Sequence, residues 1–131
     1  MKLKRSSKMN NSVAISKYSR VKETTQSDEA LAYSSVRLAL TKLKVNLNIL
    51  IGGGESKDLS AAFQNSLLAI YFLQKSLDFE KGGTLAQNLF RVYEFCRLKI
   101  IGNGFHAGDD LKPCYSFISD ISDSWDQIGK N

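Results

Sequence analysis

The chain has 131 residues, 43% hydrophobic and 24% charged, with a formal net charge of +5. That length suits one domain able to bury its own core without a structural metal or disulfides. No apolar run nears the roughly 20 residues that cross a bilayer, so membrane insertion is not expected. The basic start, Met1 to Met9, has no apolar stretch behind it, and a cleaved secretory leader is not expected either. Cys96 and Cys114 fall within helical patterns, which suits a reduced, cytoplasmic protein better than a disulfide scaffold.

The charge is uneven. Seven of the 18 basic residues precede the first acid, Glu23, which leaves 11 basic against 13 acidic residues in the rest of the chain. A flexible, basic N-terminal tail is therefore expected over residues 1–22, and a nearly neutral folded domain over 23–131. A Ser/Asn/Lys-rich tail has too little apolar surface to offset its ordering entropy. It has no basic–aromatic interleaving, so nucleic acid is not an expected partner.

Four segments then carry helical periodicity, and none carries sustained strand alternation. The first opens near Ser27, an N-cap candidate followed by Asp28 and Glu29. Its apolar stripe is Tyr33, Val36, Leu40, Leu43, Leu47 and Leu50, and Gly52 to Gly54 end it. The second starts at Glu55 or Ser56, with Leu59, Phe63, Ser66, Ile70, Leu73 and Leu77 on one face. Asp78 to Gly83 form a turn. The third begins at Thr84, with the stripe Ala86, Leu89, Tyr93, Cys96 and Ile100, and stops at Gly102 to Gly104. The fourth starts near Asp109, where Pro113 falls in the first turn; its stripe is Leu111, Cys114, Ile118, Ile121, Trp125 and Ile128. Amphipathic helices joined by short loops imply an all-α, antiparallel up-down four-helix bundle.

The stripes leave apolar residues over. Leu67 to Leu73 is apolar almost all the way round, and Phe90, Phe95, Tyr115 and Phe117 lie off the core phase. A small bundle needs about three apolar positions in seven. The surplus leaves two readings equally open: a second face that takes an amphipathic helical partner, or a face over which the basic tail or the loops fold back.

Catalytic chemistry is hard to assemble from this inventory. The single histidine, His106, sits in the loop Gly102 to Gly108, and no Glu-x-x-His pairs exist for a bundle metal site. Cys96 and Cys114 lie on core stripes, where cysteine behaves as a small hydrophobe. Gly52 to Gly54 lack the Lys-Ser/Thr and the preceding strand of a phosphate loop. No catalytic, cofactor or metal site is expected, and the chain reads as a binding protein rather than an enzyme.

The turn between the second and third helices is more specific. Leu77-Asp78, the pair Gly82-Gly83, Ala86 with Asn88-Leu89, and Tyr93-Glu94-Phe95 resemble the pattern of the flagellin export chaperones, the FliS family. Asn103, Asp109, Leu111 and Trp125 continue the match. Upstream, Tyr18, Thr25 and Ser27 fit the family's Y-x4-V-x-T-x-S-P entry, while Glu23 and Asp28 stand where valine and proline are usual. The family's M-L-Y-D-G stretch is replaced by Ser34-Ser35-Val36-Arg37-Leu38.

The resemblance implies a cytosolic chaperone that binds the C-terminal segment of flagellin, prevents premature polymerisation and delivers it to the flagellar type III export gate. It implies no cofactor, and a monomer or weak homodimer. Helical phase nominates Leu68, Tyr71, Phe72, Phe90 and Phe117 as contacts. Tyr18 joins them as part of an N-terminal segment that can cover or vacate a groove. The rival readings are a self-associating bundle and a tail-driven binder of nucleic acid or a membrane surface.

Overall fold

The computed structural model describes the backbone of residues 14–129 and the side chains of residues 28–128. The expected tail over 1–22 lies outside the described residues up to position 13. Among the described residues four helices form: α1 (Ala14–Gly52), α2 (Ser56–Lys75), α3 (Phe79–Asn103) and α4 (Lys112–Gly129). A 3-10 turn, Asp109–Leu111, precedes α4. The described residues contain no strand, and the architecture is the expected all-α four-helix bundle.

The start of α1 corrects the sequence reading. Ser27 is interior to the helix, which already runs from Ala14. The Ser-Asp-Glu signal is local, and no Gly or Pro between Ala14 and Ile51 gives the helix a reason to begin there. The chain divides into two compact units, Met1–Ser35 and Val36–Asn131, with the division inside α1. In the first unit, Leu31 is exposed and Tyr33 half-buried. The second unit holds the rest of α1 with α2, α3 and α4.

That second unit is built on the four predicted stripes. Leu40, Leu43, Leu47 and Leu50 of α1 are wholly buried, as are Ile70 and Leu73 of α2, Cys96 and Ile100 of α3, and Leu111, Cys114 and Ile118 at α4. Together they make one continuous apolar core. Truncating any one of these leucines to alanine removes several methyl groups and leaves a cavity, at a cost of about 2–5 kcal/mol. The α4 stripe fades toward its end. Ile121 and Trp125 are half-buried, and Ile128, expected in the core, is 60% exposed. Trp125 stands level with the α2–α3 turn, lining a cleft with Leu77 and Gly82.

The connections are short, and each has a local cause. At the end of α1 the Gly53 N–H donates to the Ile49 carbonyl at 3.0 Å. Its φ of 79° lies in the left-handed region that glycine adopts without strain. Between α2 and α3 the Asp78 carboxylate accepts from the Lys81 backbone N–H at 3.0 Å, capping a first turn that breaks at Gly83 (φ 50°, ψ −126°). At its neighbour Gly82, a Cβ would meet the Ala86 Cβ at 2.8 Å. The glycine pair thus has two separate requirements, a backbone conformation at Gly83 and a close approach at Gly82.

One core position is polar without a partner. Ser66 is wholly buried on the α2 stripe, and its hydroxyl makes no hydrogen bond among the described residues. A desolvated, unpaired hydroxyl costs on the order of 1–3 kcal/mol. Ser66→Ala is therefore expected to stabilise the bundle by about 1 kcal/mol and to raise the midpoint of thermal unfolding by a few degrees. A lower midpoint would show that the hydroxyl has a partner, such as a buried water.

Candidate functional site

The exposed surface carries more large apolar side chains than a small bundle needs. On α2, Leu68 is 65% exposed and Tyr71 61%, with Phe72 beside them at 42%. Leu67 to Leu73 resolves into two faces: Ala69, Ile70 and Leu73 are buried while Leu68, Tyr71 and Phe72 point out. The Lys75 ammonium stands 5.7 Å from the centre of the Tyr71 ring, close enough for a weak cation–π contact.

Phe90 and Phe117 are exposed too, but in other places. Phe90 packs at 6.0 Å, centroid to centroid, against Phe79 at the start of α3. Phe117 of α4 meets Phe95 of α3 edge-on at 5.9 Å, and Lys99 lies over Phe95. The five phase-nominated residues with described side chains therefore occupy three zones: the outer face of α2, the start of α3, and the α3–α4 seam. Tyr18 lies in α1, and its side chain is outside the described residues.

A cleft of about 300 Å³ opens at the α2–α3 turn. Leu77, Leu85, Leu89, Ile121 and Trp125 supply its apolar walls, and Asp78 and Lys81 stand among its polar lining. Gly82, Ala86 and Tyr93 line it as well. Residues chosen from the sequence for their pattern (Leu77, Asp78, Gly82, Ala86, Leu89, Tyr93 and Trp125) thus converge on one concave surface. Helical phase alone missed this. The signal was present in the pattern, but residues up to 48 positions apart, from Leu77 to Trp125, meet only through the fold.

Electrostatics fix the α2–α3 face. Glu94 accepts from the Arg97 Nε at 2.9 Å and from the Gln74 side chain of α2 at 3.1 Å. The Arg97 guanidinium first, and the Gln74 amide second, hold the Glu94 carboxyl down from 4.5 to about 2. Tyr93, one residue away, goes the other way: burial pushes its phenol up to about 12, so it stays neutral. The Cys96 thiol is raised by its contact with Cys114 and by burial. Both cysteines are free, buried core residues. Among the described residues no group of His, Cys, Asp and Glu could hold a metal ion, and His106 is an exposed loop residue.

The chain matches the family described as flagellar protein FliS over residues 9–131. It belongs to that family. No curated protein and no solved structure matches it. FliS is a family of flagellar export chaperones, not of enzymes. No helix among the described residues is long and apolar enough to cross a membrane.

The Glu94 contacts make a pH test for this FliS-family bundle. A carboxylate whose pKa is depressed on folding adds stability above its unfolded value, and that stability is lost as pH falls through the folded one. Wild type is therefore expected to lose stability between pH 4.5 and about 2 in part through Glu94. Glu94→Gln should be less stable at neutral pH and show a shallower fall over that window. Thermal melts at a series of pH values measure both; parallel profiles would remove Glu94 from the acid limb.

Proposed function

We propose that this protein is an export chaperone for flagellin, binding the C-terminal segment of that client and holding it apart from other subunits until it reaches the export gate. The observation that carries the reading is the cleft at the α2–α3 turn, where Leu77, Leu89 and Trp125 present apolar walls beside an exposed aromatic surface. A segment that assembles through apolar helical stripes is kept from self-association when those stripes are covered. A rigid bundle with spare Leu, Tyr and Phe on its outside can cover them over a long path. The client orders as it binds, so affinity per unit area is low and the wrapped area large.

In this reading the outer face of α2 (Leu68, Tyr71, Phe72) and the Phe90 and Phe117 zones are stations along the client's path. Tyr18 contributes from the N-terminal part of α1. The aromatic side chains supply large contact areas at low entropic cost. The chaperone acts as a monomer in a one-to-one complex, since a homodimer through the same apolar residues would hide them from the client. Delivery to the export gate is then the release of a client that has not yet folded.

Calorimetry with a peptide from the C-terminus of the cognate flagellin tests the proposal. Binding with a dissociation constant of tens of micromolar or tighter is expected. Leu68→Ser and Tyr71→Ser should each weaken it by about tenfold, equivalent to ~1.4 kcal/mol, with little change in melting temperature because these side chains are 65% and 61% exposed. A wild-type protein that does not bind the peptide would sink the assignment.

A further inference from the structure

The loop from α3 to α4 is fastened through the side chain of Asn103. This last residue of α3 keeps helical dihedrals, and its Nδ2 donates to the His106 carbonyl at 2.5 Å. The same side chain lies against Gly108, where a Cβ would collide with the Asn103 amide. Gly108 is buried, and its N–H donates to the Leu50 carbonyl of α1 at 3.1 Å. A Cβ on Gly53, just past the end of α1, would stand 3.0 Å from the Ala107 Cβ. Asn103 thus holds the loop 103–108 down on the end of α1. From there the Gly108 carbonyl accepts from the Leu111 N–H at 3.1 Å and opens the turn into α4.

The residue that does this is chemically unstable in its sequence context. Asn103 is followed by Gly104, and no other asparagine in the chain precedes a glycine. With no Cβ on the following residue, the backbone nitrogen can approach the asparagine Cγ without a clash. Loss of the N–H proton to solvent base makes that nitrogen a nucleophile. Its bond to Cγ forms as the Cγ–Nδ2 bond breaks, and ammonia leaves. Water then opens the five-membered succinimide at either carbonyl, giving aspartate or isoaspartate. Water is consumed and ammonia released, with no oxidant or reductant needed.

In the closed loop three features hold the reaction back. The Gly104 N–H donates to the Ile100 carbonyl at 3.0 Å. Helical dihedrals at Asn103 keep its Cγ away from that nitrogen. The leaving nitrogen is bound to His106. All three belong to the last turn of α3, where opening costs far less than unfolding the bundle. Asn103 and Gly104 are half-buried, so water reaches them once that turn opens.

The product bonds differently. An aspartate at 103 has no N–H for the His106 carbonyl, and its carboxylate faces that carbonyl as a second acceptor. Isoaspartate also adds a methylene group to the backbone where the chain turns at Gly104 (φ 68°).

We propose that Asn103–Gly104 is a self-modification site gated by the last turn of α3, and that its conversion to aspartate or isoaspartate releases the loop 103–108 from the end of α1. The reaction uses this chain's own atoms and water, whichever client the bundle carries.

The test incubates the full chain in mildly alkaline buffer, native and in urea. Peptide mass spectrometry with fragmentation that separates aspartate from isoaspartate follows each asparagine. In urea Asn103 is expected to convert ahead of every other asparagine. In the native chain it should convert about tenfold more slowly, because only the opened turn reacts. Asn103→Gln, whose ring closure is far slower, should show no conversion at 103. In the aged protein and in Asn103→Asp, hydrogen exchange at the Gly108 amide should be about tenfold faster than in fresh wild type, while the Leu47 amide of α1 keeps its rate. The aged wild type carries this readout even if Asn103→Asp does not fold.

Three results overturn the proposal. Absence of any conversion at Asn103 in the native chain would close the site in the folded protein. Equal rates with and without urea would remove the gate. Unchanged exchange at Gly108 after conversion would show that the loop is fastened by something other than the Asn103 amide.

Discussion

The approach of Gly82 to Ala86 at the α2–α3 turn is the constraint on which the rest of this bundle depends. A side chain at Gly82 would collide with Ala86, and a side chain at Gly83 would strain a left-handed backbone. With both glycines present the chain reverses within a few residues, and Asp78 caps the turn. That reversal sets the level of α3 against α2. It brings Gln74 within reach of Glu94 and stacks Ile70 and Leu73 against the same core as Cys96 and Ile100.

The cleft follows from the same turn. Because α3 starts close under the end of α2, Leu77, Leu85 and Leu89 leave a concavity that Trp125 closes from α4. A looser turn would let these side chains collapse together and fill it. The surface around it stays apolar because the bundle has more hydrophobic residues than its core can hold. Surplus rings pair with one another on the outside, Phe79 with Phe90 and Phe95 with Phe117. Such pairing stiffens an exposed patch without removing it from solvent, which suits a surface kept ready for a partner.

Membership in the FliS family places the chain among chaperones. The polar groups with displaced pKa values serve the fold: Glu94 ties α2 to α3, and Tyr93 and Cys96 are displaced largely by burial or by a core neighbour. None stands free in a cleft with a nucleophile or a base beside it.

Much of this was legible in the residues. The 3-4 spacing of Leu40, Leu43, Leu47 and Leu50 requires a helix with one buried face, and the glycines at 52–54 and 82–83 mark chain reversals, because periodicity and backbone freedom are local properties. Ser27 misled for the same reason: a capping signal is local, whereas the start of a helix depends on whether anything upstream stops it. Ile128 kept the phase of the α4 stripe yet is 60% exposed, since phase says which way a side chain points and not what stands opposite. The sequence by itself determined four amphipathic helices and a surplus of apolar side chains. Only the tertiary structure decided that Leu77, Ala86 and Trp125 share one cleft, that the nominated aromatics separate into three zones, and that Leu38, Val45 and Ile49 are left outside, because the distance between helices is not written in the spacing along any one of them.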